Sequence, residues 1–159
     1  MRSSEPEAVE FDPTAPGPVI EHMTVLAEAG RGWINLHPGV DEEDPPPPQS
    51  GFLRVFSGRG PATPLCTWVA RERTRKGVEY VSVGVQHAAG PKAVDRLADR
   101  GYPLPARTLV LADHPKRGLV VAFGVEERHE VVLGWLVGAA ERLCDWPLRS
   151  PWLAIVHPG

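Results

Sequence analysis

Cysteine is scarce, and no two cysteines sit at ligand spacing. Cys66 and Cys144 lie far apart in a chain of 159 residues. They show no CxxC pairing and no metal-ligand spacing, nothing requires a disulfide between them, and both are read as reduced, mostly buried thiols. Long apolar runs are missing as well. The longest, Val131 to Ala140, has ten residues and is broken by Gly134 and Gly138, whereas a membrane-spanning helix needs about 18 or more. No apolar stretch follows Met1-Arg2-Ser3-Ser4-Glu5-Pro6, so no secretory leader is read. The expectation is a soluble, cytoplasmic protein without a membrane partner. Lysine is the third shortage, with three against fourteen arginines. Arginine, alanine, glycine, proline and valine all have GC-rich codons, which points to a bacterial source.

The motifs of common chemistries are absent too. Ser57-Gly58-Arg59-Gly60 has the look of a phosphate loop, but GxGxxG fails at Thr63, and Pro61 and Pro64 prevent a helix from starting behind it. No GxSxG exists, since Val55 stands where the first glycine is needed. Neither HExxH nor a P-loop occurs. No cofactor is expected. Three His-Pro pairs, at His37, His114 and His157, offer imidazoles for zinc. The strands ending at His114 and His157 are expected to run in opposite directions on opposite edges of a sheet, so these pairs are read as strand-end punctuation and no metal is assigned.

What the chain does have is an uneven charge. The net charge is −3, but residues 1–50 carry two basic and ten acidic side chains, and residues 51–159 carry fifteen basic and ten acidic. Such asymmetry suits a nucleic-acid surface or an acidic segment lying over a basic one. Arg71, Arg73 and Arg75 alternate beside Lys76 and form a basic rim. The nearest aromatics, Trp68 and Tyr80, read as core residues, so nucleic acid is not the expected partner.

Residues 1–18, with four prolines and four carboxylates, read as a disordered acidic arm. Residues 19–159 read as one α+β domain. Val19 to Ala29 has helical spacing with Gly30 as a stop, and a hairpin over Thr24 to Leu36 is the alternative. Trp33 to Leu36 is a short strand closed by His37-Pro38-Gly39. The acidic and Pro-rich segment 41–50 is an exposed loop, with Pro45 to Pro48 as polyproline II. Phe52 to Phe56 is a strand. Leu65 to Glu72 and Val78 to Gln86 form a hairpin turning near Arg75-Lys76-Gly77. Pro91 to Arg100 is an amphipathic helix with Pro91 in its first turn. Thr108 to Ala112 and Leu119 to Phe123 are strands, Glu130 to Cys144 is a helix, and Trp152 to Val156 is the last strand. The expected core comprises Trp68, Val83, Val85, Val94, Leu97, Val110, Val121, Trp135, Leu136 and Leu143.

Residues 78–157 thus read β-α-β-β-α-β, the order of a ferredoxin-like split unit in a mainly antiparallel sheet, extended by the N-terminal helix and hairpin. That fold places the last strand beside the first of the unit. The hairpin claims the same edge, so either the hairpin bends away or the last strand is displaced.

The same topology brings two basic loops to one end of the sheet. One carries His87, Gly90 and Lys92 at a helix N-terminus, and the other His114, Lys116 and Arg117. Arg149 joins them if the last strand pairs as in the ferredoxin-like order. A helix N-terminus with several cations is a ready anion site. The two imidazoles are expected to titrate near neutrality. The reading is a non-enzymatic binding or regulatory module for an anionic small ligand or an acidic protein segment. A small enzyme using His87 or His114 as general acid–base is the alternative, with Asp113 as the nearby carboxylate. A structural or oligomerisation domain is the third reading, and the oligomeric state is left open.

Overall fold

Alternation of apolar and polar residues builds a single sheet here. The computed structural model describes residues 5–41, 43 and 60–159. The strand expected at Phe52–Phe56 and the loop at Pro45–Pro48 lie outside them. The elements run β1 (Glu7–Phe11), α1 (Gly17–Ala29), β2 (Trp33–Val40), β3 (Leu65–Arg73), β4 (Glu79–Gln86), α2 (Ala93–Asp99), β5 (Leu109–His114), β6 (Gly118–Gly124), α3 (His129–Arg142) and β7 (Leu148–His157). The seven strands form one open sheet in the order β1-β7-β2-β3-β4-β6-β5, and each neighbouring pair is antiparallel. No helix among the described residues is long and apolar enough to cross a membrane.

One face of the sheet carries the core. Val156, Ile34, Trp68, Val83 and Val121 pair in register across five strands and are all buried. Helix α1 packs on β1, β3 and α3, while α3 lies over β3 and β4. Tyr102, just past α2, donates its hydroxyl to the carbonyls of Gly134 and Trp135 on α3. Helix α1 stops at Gly30, whose φ of 67° is the left-handed conformation that glycine adopts without a Cβ clash.

The sheet departs from a ferredoxin-like unit in one respect. The β3–β4 hairpin stays paired from Leu65↔Gln86 to Arg73↔Glu79. A strand has only two edges, and β6 takes the other edge of β4. The last strand is therefore displaced by two positions. It inserts between β1 and β2, pairing with both.

Strand β1 corrects the expectation of a disordered arm. Glu7–Phe11 pairs with β7 at the sheet edge, from Glu7↔Val156 to Phe11↔Trp152. Acidic composition pointed to disorder, yet a five-residue edge strand needs few apolar side chains. Val9 and Phe11 supply them on the core side, and charges on an edge strand are ordinary. Three smaller differences have local causes. Strand β2 continues through Pro38 because the register shifts between His37 and Gly39, and a bulge tolerates a missing N–H. Helix α2 begins at Ala93, so Pro91 lies outside it. Val110 is 37% exposed because β5 is an edge strand, and Val94 is only partly buried.

Candidate functional site

Strand β4 reads Val81-Ser82-Val83-Gly84-Val85-Gln86. Its valines point into the core, so Ser82, Gly84 and Gln86 fall on the opposite face. Strand β3 sends Cys66, Trp68 and Ala70 inward and Leu65, Thr67 and Val69 outward. The register aligns Thr67, Gly84 and Val120 in one row, and Val69, Ser82 and Ala122 in the next. Gly84 has no side chain, and Thr67 and Ser82 are short. A depression of about 210 Å³ results, walled by Leu65, Val69 and Val120 and edged by Gln86 and Arg117.

The neighbouring strands are tied together on this face. The Thr67 hydroxyl donates to Asn35 Oδ1 at 3.0 Å. Asn35 Nδ2 lies 3.3 Å from His157 Nε2, and the His157 ring stacks on Trp33 at 4.7 Å between centroids. Because the Thr67 proton is committed to Asn35, its oxygen is free to accept.

The two basic loops do lie at one end of the sheet, since β4 and β5 are both antiparallel to β6. The anion cradle expected there is already filled. Asp113 accepts the Ala93 N–H on Oδ1 at 3.0 Å and the Val94 N–H on Oδ2 at 3.1 Å. A carboxylate from β5 thus satisfies the first amides of α2 and complements its dipole. Lys92 is the N-cap residue in a left-handed conformation, φ 60°, and is not in the first turn. Arg149 does not join the loops, because β7 is displaced. Strands β2 and β3 separate β7 from β4, a lateral distance of roughly 14 Å at 4.7–4.9 Å per strand. Arg149 lines a separate cleft with Gly39, Asp41 and Pro151.

His87 is fully buried, contrary to an exposed loop residue. Its Nδ1 accepts the Ala89 N–H at 3.1 Å, which places the proton of the neutral ring on Nε2. That atom is buried without a partner among the described residues. Gly60 packs against the His87 backbone, where any side chain would clash, and donates its N–H to the Pro115 carbonyl at 3.1 Å. Burial lowers the His87 pKa below the ordinary histidine value, opposed by Asp113 and assisted by Arg96. The folded protein therefore binds this proton less readily than the unfolded chain. Stability contributed by the neutral ring is present above the unfolded value of about 6.5 and is lost as pH falls through the lower folded value. Urea midpoints between pH 7.5 and 5 should fall, and His87→Gln should flatten that slope. An unchanged slope in the variant would assign the acid sensitivity to other groups.

His114 is exposed, and its Nδ1 accepts the Lys116 and Arg117 N–H groups at 3.1 and 3.2 Å. It thereby organises the β5–β6 turn that carries Arg117. None of the ion pairs among the described residues involves Lys92, Lys116 or Arg117. The basic rim on β3 is used differently: Arg73 meets Glu79 at 2.7 Å, and Arg71 meets it at 3.6 Å. Among the His-Pro histidines, His114 stands on β5 and His37 and His157 on β2 and β7, at least four strands away.

Comparison with protein-family models, curated proteins and solved structures finds no match for this chain.

Of the expected site residues, only Arg117 edges the depression. Gly90, Lys92, His114 and Lys116 share its end of the sheet, while His87 is buried beneath. Thr67, Ser82, Gly84 and Gln86 were missed as site residues. Their signal is the alternation Ser-x-Gly-x-Gln against Val-x-Val-x-Val. It marks a face, but it does not reveal that none of the helices among the described residues covers that face.

Proposed function

We propose that the protein is a non-enzymatic binding module for a small anionic ligand, with Arg117 as the anion-binding group on the face of the sheet opposite the described helices. The observation that carries this reading is a guanidinium without a carboxylate partner among the described residues, placed at the edge of a concave, mostly apolar depression. Lys116 and Lys92 at the same end add to the local positive field. Cys66 and Cys144 are free, in keeping with a cytoplasmic setting.

Acid–base catalysis has less support. Asp113 spends both oxygens on α2, and His87 has no solvent-exposed surface. His114 has no ion-pairing carboxylate among the described residues. An oligomerisation role draws on another surface, the edge strand β5, where Leu109 and Leu111 are exposed. Light scattering over a concentration series separates that reading.

Titration with sulfate and with acetate, followed by amide chemical shifts, tests the anion site. Shifts should concentrate at residues 84–87 and 113–120 and weaken with added salt. Arg117→Ala should reduce affinity by about tenfold, the worth of one charge-assisted hydrogen bond. Small shifts spread evenly over the surface, or an Arg117→Ala variant that binds equally well, would remove the basis of the proposal.

A further inference from the structure

Nothing among the described residues calls for a glycine at position 84. It lies in the interior of β4, a central strand, without a positive φ. Among the described residues, a Cβ added there would meet nothing closer than the Val120 Cγ2 at 3.8 Å and the Leu119 carbonyl at 3.9 Å. Glycine weakens a strand interior, and where neither a turn nor a bulge calls for it, it marks a place where another group approaches the backbone closely. Its row neighbours are Thr67 and Val120, both β-branched. A β-branched residue at position 84 would complete that row with favourable cross-strand contacts. The chain instead keeps a bare peptide at the floor of the depression.

The lining restricts what can lie on that peptide. Leu65, Val69 and Val120 form apolar walls, and the polar groups are the Thr67 and Ser82 hydroxyls, the Gln86 amide and the Arg117 guanidinium. One guanidinium neutralises one negative charge and matches a carboxylate with two parallel N–H donors. A phosphate dianion calls for more donors. The amides of the α2 N-terminus, which would supply them, are occupied by Asp113. A cavity of about 150 Å³ accepts a benzene ring, so a depression of about 210 Å³ suits a ring-sized body.

Resting on the anion-binding reading above, we infer that the ligand is a monocarboxylate with a flat apolar body, its ring laid on the Gly84 peptide and its carboxylate held by Arg117 and Gln86. The apolar walls cover the ring edge, the Thr67 oxygen accepts from a polar substituent, and the Ser82 hydroxyl accepts or donates there.

Benzoate, phenylacetate and phenyl phosphate serve as probes, with benzyl alcohol as the uncharged control and acetate as the ring-free one. Benzoate or phenylacetate should shift the amides of residues 84, 86, 117 and 120 in a saturable way, at least about tenfold more tightly than acetate or benzyl alcohol. Phenyl phosphate should bind no better than benzoate. Gly84→Val should abolish carboxylate binding while its thermal midpoint stays equal to or above that of the parent protein. Gly84→Ala should weaken binding with the same unchanged stability. This pairing separates a ligand-contact role from a structural one. A large drop in midpoint for both variants would show that the glycine serves the fold, and would overturn the inference. Equal binding of acetate and benzoate would overturn it while leaving the anion site standing. Failure of every anion, sulfate included, would remove both.

Discussion

Phe11→Ala should lower the unfolding free energy by about 3–5 kcal/mol, the usual loss when a buried phenylalanine is truncated. Phe11 is 4% exposed, and its ring lies 6.2 Å from that of Trp152, which is itself buried. The two residues are partners in the β1–β7 ladder. Strand β1 has a neighbour on one side only, so its attachment depends on this ladder and on the packing of Val9 and Phe11 against the core. Truncation removes the ring and leaves a void against Trp152 that the sheet backbone is poorly placed to close. Removing residues 1–12 should reproduce most of the loss. Glu10→Ala, exposed on the same strand, should change stability by no more than about 0.5 kcal/mol. Urea denaturation measures all three. A loss below about 0.5 kcal/mol for Phe11→Ala would mean that β1 contributes nothing to the folded state in solution.

Leu136→Ala should cost about 2–5 kcal/mol. Leu136 has no exposed surface. Helix α3 buries Val132, Leu133, Trp135, Leu136, Val137, Ala139 and Ala140, far more than a single stripe. It is buried on more than one side because it crosses over the sheet between β6 and β7 and also meets α1 and Tyr102. Such a site cannot collapse inward from one side, which favours the upper part of the range. Val131→Ala on the exposed side of the same helix should stay within about 0.5 kcal/mol. The midpoint should fall with an unchanged urea slope, since the surface exposed on unfolding is the same. A small loss would mean that α3 presents a different face to the sheet.

Much of the local structure was legible because short-range patterns decide it. Helical spacing over Val19 to Ala29 with Gly30 behind it gives α1. The alternation on both sides of Arg75-Lys76-Gly77 gives the β3–β4 hairpin, closed by the Thr74 and Val78 backbone bond. The apolar stripe of Val132, Trp135, Leu136 and Ala139 gives α3. The candidate site was legible only in part. The β4 and β5 loops share one end, as a strand-helix-strand order dictates. The use of Asp113 as the cap of α2 depends on a contact across twenty residues, which no local pattern encodes.

By itself the sequence determined the α+β class, the positions of most strands and of the three helices among the described residues, and which side of β3, β4 and α3 turns inward. Those follow from periods of 2 and 3.6, which act between residues a few positions apart. Only the tertiary structure decided that the last strand inserts between β1 and β2, that the acidic N-terminal stretch becomes an edge strand, and that the Ser82-Gly84-Gln86 face carries a depression beside Arg117. The reason is competition for edges. A strand can pair on two sides only, and the hairpin and β6 had used both sides of β4. The last strand then paired where an edge was free, and that choice set Arg149 apart from Arg117.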